Sequence, residues 1–549
     1  MRVAIAQVNP VVGDLRGNRR LVEEAAERAA AARADVVVLP ELVLTGYPPM
    51  DLLSREGFVR DQIRELDALL PPSKRVPILL GAVLPEAGRP AGGICNSAVL
   101  LVGGRRVARQ DKTHLPTYDV FDEKRYFSPA ESRTPCELAG VPVGLTICED
   151  SWADVYGYSV NPIAELAAAG TRYIFNISAS PWHLDKTGER REMISKLARG
   201  HDTPIVFVNQ VGGNDELIFD GGSFVCDAKG GVIASLPLFE SAFEVIDLDA
   251  EHASLAPDAV EDPEHAVQLE AGLCLGIGDY FHKQGLPPDA VVGLSGGIDS
   301  AVTAHLACLA LGPERVLGVA MPGPFSSEHS VEDALALGRN LGIEVRTVDI
   351  TPVYDSYKAV FGQLFGERDD YGIAQQNIQS RIRGATLMAV SNAEGRLVLA
   401  TGNKSELSTG YCTLYGDTVG GIAVLGDVYK RDVYALARLA NRAEERIPRR
   451  TIEKPPSAEL APDQLDSDDL PPYDVLDDVL EQAIEGQRSA SGIEVPPGTT
   501  AKVVRDIVNR LDRNEYKRRQ APLVLRTSRK AFGSGRRLPI VHRFIESGD

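Results

Sequence analysis

The chain has 549 residues, 44% of them hydrophobic, and a formal charge of −19 at pH 7. That length exceeds a single core and calls for two large domains, and the acid excess opposes nonspecific attraction to nucleic acid or an anionic membrane. No run reaches the ~18 apolar residues of a membrane span, and seven scattered cysteines without a Cys-x-x-Cys pair argue against disulfide scaffolding and structural zinc.

The N-terminus, Met1-Arg2-Val3-Ala4-Ile5-Ala6, reads as the opening of a strand with no room for a signal peptide, so a cytoplasmic location is expected. A helix follows over about 18–33, then a strand at 36–39. Further strands are predicted at 76–80, 98–102, 143–147, 173–177, 205–209, 223–226 and 245–248. Runs such as Val99-Leu100-Leu101-Val102 are too continuous for a sheet wetted on one face. Two inner sheets with helices outside, over residues 1–250, satisfy that pattern.

Three segments of this half carry chemistry. Leu39-Pro40-Glu41-Leu42 places a carboxylate after a buried strand, Asp111-Lys112-Thr113-His114 an ammonium after another, and Ile147-Cys148-Glu149-Asp150 a thiol after a third. If those strands are neighbours, Glu41, Lys112 and Cys148 converge. A thiol of pKa about 8.5 needs a base or a nearby cation to become a nucleophile. Glu41 can take its proton, while Lys112 and the N–H of Glu149 can stabilise an oxyanion. His114 reads as a loop residue. Tyr118 and Phe121 offer walls for a small substrate.

A proline- and acid-rich stretch near 256–264 and a helix over 267–284 form a linker and leading helix, 251–285. The second domain, 286–549, alternates strands near Val291, Val316, Val345 and Val398 with helices, the pattern of an open parallel sheet. Its most informative string is Ser295-Gly296-Gly297-Ile298-Asp299-Ser300, between the first of these strands and a helix. Such a turn can present backbone N–H groups and two hydroxyls to a phosphate, and Asp299 there calls for a divalent cation. Thr401-Gly402-Asn403-Lys404-Ser405-Glu406 supplies a second acid after another strand. Arg381 and Lys430 are further candidate cations. The acids between 463 and 478 read as a solvated loop, and the basic residues of 516–519 and 535–537 as a candidate phosphate-facing patch.

Glu41, Lys112 and Cys148, in that order and local context, resemble the triad of the nitrilase–amidase superfamily, which has a four-layer αββα sandwich. The resemblance implies that Glu123 orients the lysine and assists proton transfer. The Ser295 loop, the 401–406 turn, Asp427 to Lys430, Lys454-Pro455-Pro456-Ser457-Ala458-Glu459-Leu460 and Asn514-Glu515-Tyr516-Lys517-Arg518-Arg519-Gln520-Ala521-Pro522 together resemble the glutamine-dependent NAD synthetases. Leu523 departs from the family's common Ala-Pro-Pro.

This implies an α/β protein with a C-terminal Rossmann-like ATP-pyrophosphatase domain. It also implies a carbon–nitrogen ligase that amidates deamido-NAD with ammonia from glutamine, releasing AMP, pyrophosphate and glutamate. Site residues carried over by the resemblance include Ser178 and Ser180 for glutamine. Ser295, Gly296, Gly297, Ile298, Asp299, Ser300, Arg381 and Thr401 are expected to bind ATP. Asp417, Lys430 and Lys517 are expected for deamido-NAD, and Asp299 and Glu406 for Mg²⁺. Partners are then the three small substrates and further copies of the chain, as a homodimer or larger, with ammonia passed between the sites and no nucleic acid or membrane. The proline-rich stretch 454–473 is expected to order over bound ligand. Two rivals are a related ligase with another acceptor, such as guanylate, asparagine or tRNA, and a scaffold of degenerate catalytic domains.

Overall fold

The β-branched runs of the first half become strands covered on both faces. The computed structural model describes residues 1–55, 57–86 and 93–544, and the chain divides into two units, Met1–Pro263 and Glu264–Asp549.

In the first unit the strands are β1 (Arg2–Gln7), β2 (Val36–Val38), β3 (Ile78–Pro85), β4 (Ile94–Val102), β5 (Arg105–Asp111), β6 (Cys136–Leu138) and β7 (Val141–Ile147). They continue as β8 (Tyr173–Ser178), β9 (Ile205–Asn209), β10 (Val211–Asn214), β11 (Leu217–Asp220), β12 (Phe224–Cys226), β13 (Val232–Ser235) and β14 (Ala242–Asp247). One six-stranded sheet has the order β14-β1-β2-β3-β4-β5 and a second has β13-β12-β9-β8-β7-β6; β10 and β11 form a hairpin.

The two-residue period of a strand decides what each side chain touches. Val3 and Ile5 face inward, meeting Val143, Leu145 and Phe175 of the second sheet. Ala4 and Ala6 face outward, where Val22, Ala26 and Ala29 of the helix Leu15–Ala31 cover them. Ile174 and Phe207 of the second sheet lie likewise under Ile194 and Leu197 of the helix Lys186–Gly200. The result is helix, sheet, sheet, helix.

One expectation needs correcting. The strands that lead to Glu41 and Lys112 are not neighbours: β3 and β4 lie between β2 and β5, and the strand before Cys148 belongs to the other sheet. Strand order across a sheet is set by tertiary packing and leaves no local mark in a sequence.

The second unit adds β15 (Ala290–Leu294), β16 (Val316–Ala320), β17 (Glu344–Thr347), β18 (Leu397–Ala400), β19 (Ile422–Ala423) and β20 (Leu523–Val524). They form one parallel sheet in the order β17-β16-β15-β18-β19-β20. The order reverses between β15 and β18, which makes a crevice beyond their C-terminal ends. The loops starting at Ser295 and Thr401 border it. The helix His265–Gln284 belongs to this unit rather than to a linker, because its buried residues Leu269, Leu273, Ile277 and Phe281 recur at helical spacing on one face.

Two polar stretches also differ from their sequence reading. Within 463–478, Asp466 and Asp477 are buried and the helix Tyr473–Ile484 begins, with Leu476, Val479 and Leu480 in the core. Asp477 accepts the Ser405 hydroxyl and, at 2.9 Å, the Arg431 N–H. In the C-terminal basic cluster, Arg518 is buried, pairs with Glu515 at 2.9 Å and donates to the carbonyls of Leu407 and Ser408. Arg536 pairs with Asp512 and Glu515. These arginines cross-link the fold rather than form a phosphate patch.

Lys404 is the central tie of this region. Its ammonium is fully buried, 2.7 Å from Asp427 and 2.6 Å from both Glu485 and the Ser528 hydroxyl. Replacing Lys404 with Met keeps the volume but removes the buried counter-charge of Asp427, which is left with the Thr527 and Ser528 donors, so unfolding of the second unit by denaturant should lose ~3–5 kcal/mol.

Candidate active site

The first unit assembles a charged chamber from residues far apart in sequence. Beyond β2 the chain crosses β3, with Leu39 N–H bonded to Leu79 O and Gly81 N–H to Pro40 O. Only glycine allows this: a Cβ at position 81 would lie 2.1 Å from Leu42 N and 2.7 Å from Glu41 Cα. Glu41 then reaches Lys112, which extends the strand register past β5. Lys112 Nζ donates to Glu41 Oε1 at 2.8 Å and to Glu123 Oε1 at 2.7 Å, and all three side chains are buried. Glu41 also accepts Asn96 Nδ2 at 2.6 Å and the Ala179 N–H at 2.9 Å. Tyr47 OH donates to Glu123 Oε1 at 2.8 Å.

Cys148 opens the tight turn Cys148–Trp152 at the end of β7, with a φ of +43° that a non-glycine residue adopts only under strain. Asp150 holds this turn in place. One of its oxygens accepts the Ile147 N–H at 3.0 Å and the other accepts the N–H groups of Thr113 and His114, each at 2.9 Å. The residue after the lysine and the residue before the cysteine are thereby tied to one carboxylate.

Electrostatics give these groups distinct states. Burial opposes the Lys112 charge, but Glu123 and then Glu41 outweigh it and raise the lysine well above its ordinary value. Burial lifts Glu123 to about 7, against the opposing pull of Lys112. Burial, and then Glu41, raises the Cys148 thiol, so it rests protonated and requires a base.

Sequence reasoning missed Glu149 as a side chain. Burial pushes it to about 7, while it accepts Tyr118 OH at 2.9 and 3.0 Å and Tyr158 OH at 3.0 Å. Tyr118 meets Phe121 edge-on at 5.5 Å and Tyr156 at 4.8 Å, so an aromatic wall surrounds this carboxylate. The Glu149-Asp150 pair and the three tyrosines were visible signals. Ser178 donates its hydroxyl to Asn176 at 2.7 Å, and the Ser180 N–H is held by Asn209 at 2.8 Å. His114 stacks on Tyr158 at 4.1 Å with Nε2 2.9 Å from the Val160 carbonyl.

In the second unit a cavity of about 610 Å³ occupies the crevice, a size suited to a nucleotide. Ser295, Gly297, Ile298, Asp299, Ser300, Thr401, Glu406, Asp417, Lys430 and Lys517 all line it. Gly296 is not among the lining residues. Its φ is +74°, and a Cβ would meet the Ser330 carbonyl at 2.4 Å, so this glycine lets the loop pass close to the next helix. Arg381 is turned away as well, donating to the Leu414 carbonyl at 3.1 Å. Arg383, two residues on and therefore on nearly the opposite face of the helix Ile373–Glu394, lines the cavity instead.

Lys430 Nζ bridges Asp299 Oδ2 at 2.6 Å and Glu406 Oε1 at 3.3 Å. Asn403 caps the helix Lys404–Thr409 and donates to Asp299 Oδ1 at 2.8 Å. Burial, and then Asp299, pushes the Glu406 carboxyl to about 8. Two carboxyl groups meeting at the border of the crevice form an oxygen donor set of the kind a divalent cation takes, with Lys430 lying between them. Asp417 accepts the Thr413 N–H at 2.8 Å, and Lys517 Nζ donates to the carbonyls of Gly410 and Cys412 at 2.6 and 2.8 Å. Glu459, from the proline-rich segment on the cavity wall, accepts the hydroxyls of Ser327 at 2.9 Å and Ser330 at 2.7 Å.

Comparison with known proteins matches both units. Residues 2–257 match the family described as carbon-nitrogen hydrolase, and residues 270–521 the family described as NAD synthase. The glutamine-dependent NAD(+) synthetase of Synechocystis sp. is 44% identical over 100% of this chain and 99% of its own. That of Thermotoga maritima is 40% identical over 100% and 99%. Among solved structures, the glutamine-dependent NAD+ synthetase of Acinetobacter baumannii in complex with adenosine diphosphate is 37% identical, with a TM-score of 0.78 and 98% of each chain covered. The Cytophaga hutchinsonii structure, 22% identical, shares the fold with a TM-score of 0.83 over 99% of this chain and 98% of its own.

The raised carboxyl of Glu149 has a consequence for stability. Between about 4.5 and 7 the folded chain holds a proton there that the unfolded chain has released, so its stabilising contribution is present at low pH and lost as pH rises through 7. Glu149→Gln removes that dependence. Its unfolding midpoint, compared with the parent's, should shift in the variant's favour as pH rises from about 5 to about 8.

Proposed function

Because the chain belongs to the glutamine-dependent NAD(+) synthetase family, we propose that it amidates deamido-NAD to NAD with ammonia taken from glutamine, releasing AMP, pyrophosphate and glutamate. The observation that carries this reading is one chain holding both a cysteine chamber built around Lys112 and a nucleotide-sized cavity at the reversal of a parallel sheet. Residues 1–250 are assigned the glutaminase, and 286–549 together with the helix His265–Gln284 the synthetase.

In the glutaminase, Glu41 takes the Cys148 proton as the sulfur attacks the glutamine side-chain amide. Lys112 and the N–H of Glu149 stabilise the oxyanion, a donor of this kind contributing ~3 kcal/mol to the transition state. Glu123, anchored by Lys112 and Tyr47, keeps the lysine in place. The amide nitrogen leaves as ammonia with the proton returned by Glu41, and a thioester remains. Water deprotonated by Glu41 cleaves it to glutamate and regenerates the thiol. The Glu149 carboxylate, walled by Tyr118 and Phe121, suits the α-ammonium group of glutamine, with Ser178 and Ser180 assigned to the same pocket.

In the synthetase, the nicotinate carboxylate of deamido-NAD attacks the α-phosphorus of ATP and expels pyrophosphate. Ammonia attacks the adenylate carbonyl, AMP leaves and a proton is lost. Activation is needed because a carboxylate resists an amine, whereas AMP is a good leaving group. Ser295, Gly297 and Ser300 cradle phosphate at a helix N-terminus, with Thr401 beside them. Arg383 replaces Arg381 as the arginine assigned to the nucleotide. Asp417, Lys430 and Lys517 are assigned to deamido-NAD. Asp299 and Glu406 would hold Mg²⁺, which when bound neutralises phosphate charge. The two acids would supply only part of the ligand set of such an ion, and the remainder would come from the substrate's phosphate oxygens and water.

Keeping the two steps in one protein holds ammonia concentrated and unprotonated, an effect of proximity. The same reading includes a homodimer or larger assembly of synthetase units.

Cys148→Ala should lower NAD formation from glutamine by ~10³-fold or more while ammonium chloride still supports it. Loss of both from a folded chain would contradict separate roles for the two sites. In the parent, glutamate released should match NAD formed, and a large glutamate excess would defeat tight coupling.

A further inference from the structure

Glu41 and Lys112 come from β2 and β5, strands three spacings apart, or roughly 14 Å from axis to axis. Two features close that gap. The first is the crossing at Gly81, which carries Glu41 over β3. The second is Asn96 on β4, paired with Val83 of β3 and fully buried.

Asn96 touches both partners. Its Nδ2 donates to Glu41 Oε1 at 2.6 Å, and its backbone carbonyl accepts the Lys112 N–H at 2.8 Å. The same Glu41 oxygen receives the Lys112 ammonium at 2.8 Å. Asn96 Oδ1 has no hydrogen-bond partner among the described residues. Leaving a buried carbonyl unpaired is unfavourable, and an aliphatic side chain would avoid it. The opposite rotamer would set that oxygen against the Glu41 carboxylate, so the amide is held in one orientation by its single charged acceptor.

We propose that Asn96 is a positioning residue for the glutaminase, clamping the Glu41 carboxylate with its side chain and the Lys112 backbone with its carbonyl so that Glu41 faces the Cys148 thiol. The proposal rests on the glutaminase reading of this chamber. Asn96 would act through Glu41 and Lys112 rather than on the substrate. Tyr47, Lys112, Glu123 and Cys148 each interact electrostatically with the Glu41 that Asn96 holds. Without the clamp, Glu41 keeps Lys112 and the Ala179 N–H as partners but loses the contact that spans from β4.

The test uses the full chain with Asn96→Ala and with Asn96→Asp, which keeps the shape but sets a carboxylate against Glu41. Three quantities are measured: the glutamine-dependent kcat and KM, the rate at which iodoacetamide alkylates Cys148 as resolved by peptide mass mapping, and the unfolding midpoint. The expected result is a kcat lowered ~10-fold or more, with KM for glutamine changed less than about twofold. Asn96→Asp should be the slower of the two, and Cys148 alkylation should slow in the same order. A merely structural asparagine would move the unfolding midpoint and leave the alkylation rate of the folded fraction untouched. Should Asn96→Ala not fold, the isosteric Asn96→Asp decides. Unchanged kcat and alkylation in a folded variant would overturn the proposal, as would Asn96→Asp outperforming Asn96→Ala. Glutamine use that survives Cys148→Ala would instead defeat the glutaminase reading itself.

Discussion

The first unit depends on the ammonium of Lys112 lying between Glu41 and Glu123 in an interior closed to water. Taking each of these charges out of water costs several kcal/mol, and only short contacts with further donors offset it. Those donors are present: Asn96 and the Ala179 N–H on Glu41, and Tyr47 on Glu123. Such an arrangement tolerates little displacement, because a carboxylate that loses its partner is left charged and dry. The same cluster sets the state of the sulfur. Cys148 is kept neutral by burial and then by the nearby Glu41.

The second unit uses the same device on an unrelated sheet. Lys430 separates Asp299 and Glu406 at the tips of adjacent parallel strands, and Asn403 fixes Asp299 from the other side. The acids reach this meeting point because the sheet reverses direction between β15 and β18. Lys404, one residue from Asn403, is sealed into a separate charged knot with Asp427 and Glu485. Neighbours in sequence thus divide into one residue turned to the cavity border and one that anchors the short helix behind it.

Much of this was legible in the sequence. The continuous apolar runs required strands buried on both faces, and the small-residue turns marked loops at strand ends. Glu41, Lys112 and Cys148 stand within three residues of a strand end, and Asp299 and Glu406 in the first turn of the helix that follows one, where an α/β sheet presents its ligands. The remainder was hidden for physical reasons. Asn96 meets Glu41 across 55 positions of chain, and nothing local marks that contact. Arg381 and Arg383 differ only in the helix face they occupy, which a short motif does not define. Acidic and basic runs near the C-terminus read as solvated because composition does not show that Asp477 and Arg518 have partners waiting inside. The neighbour relation assumed for the strands of the first unit failed for the same reason: sheet order is a property of the packed whole.

Gly296 illustrates how tightly the second cavity is built. With no side chain, the loop lies against the Ser330 backbone, and Ser330 in turn holds the Glu459 carboxylate of the proline-rich segment on the cavity wall. Floor, helix and wall thus meet at one glycine and at the two serines, Ser327 and Ser330, that hold Glu459. Any side chain at position 296 would strike the Ser330 backbone, so widening this compartment by mutation has to begin elsewhere along its lining.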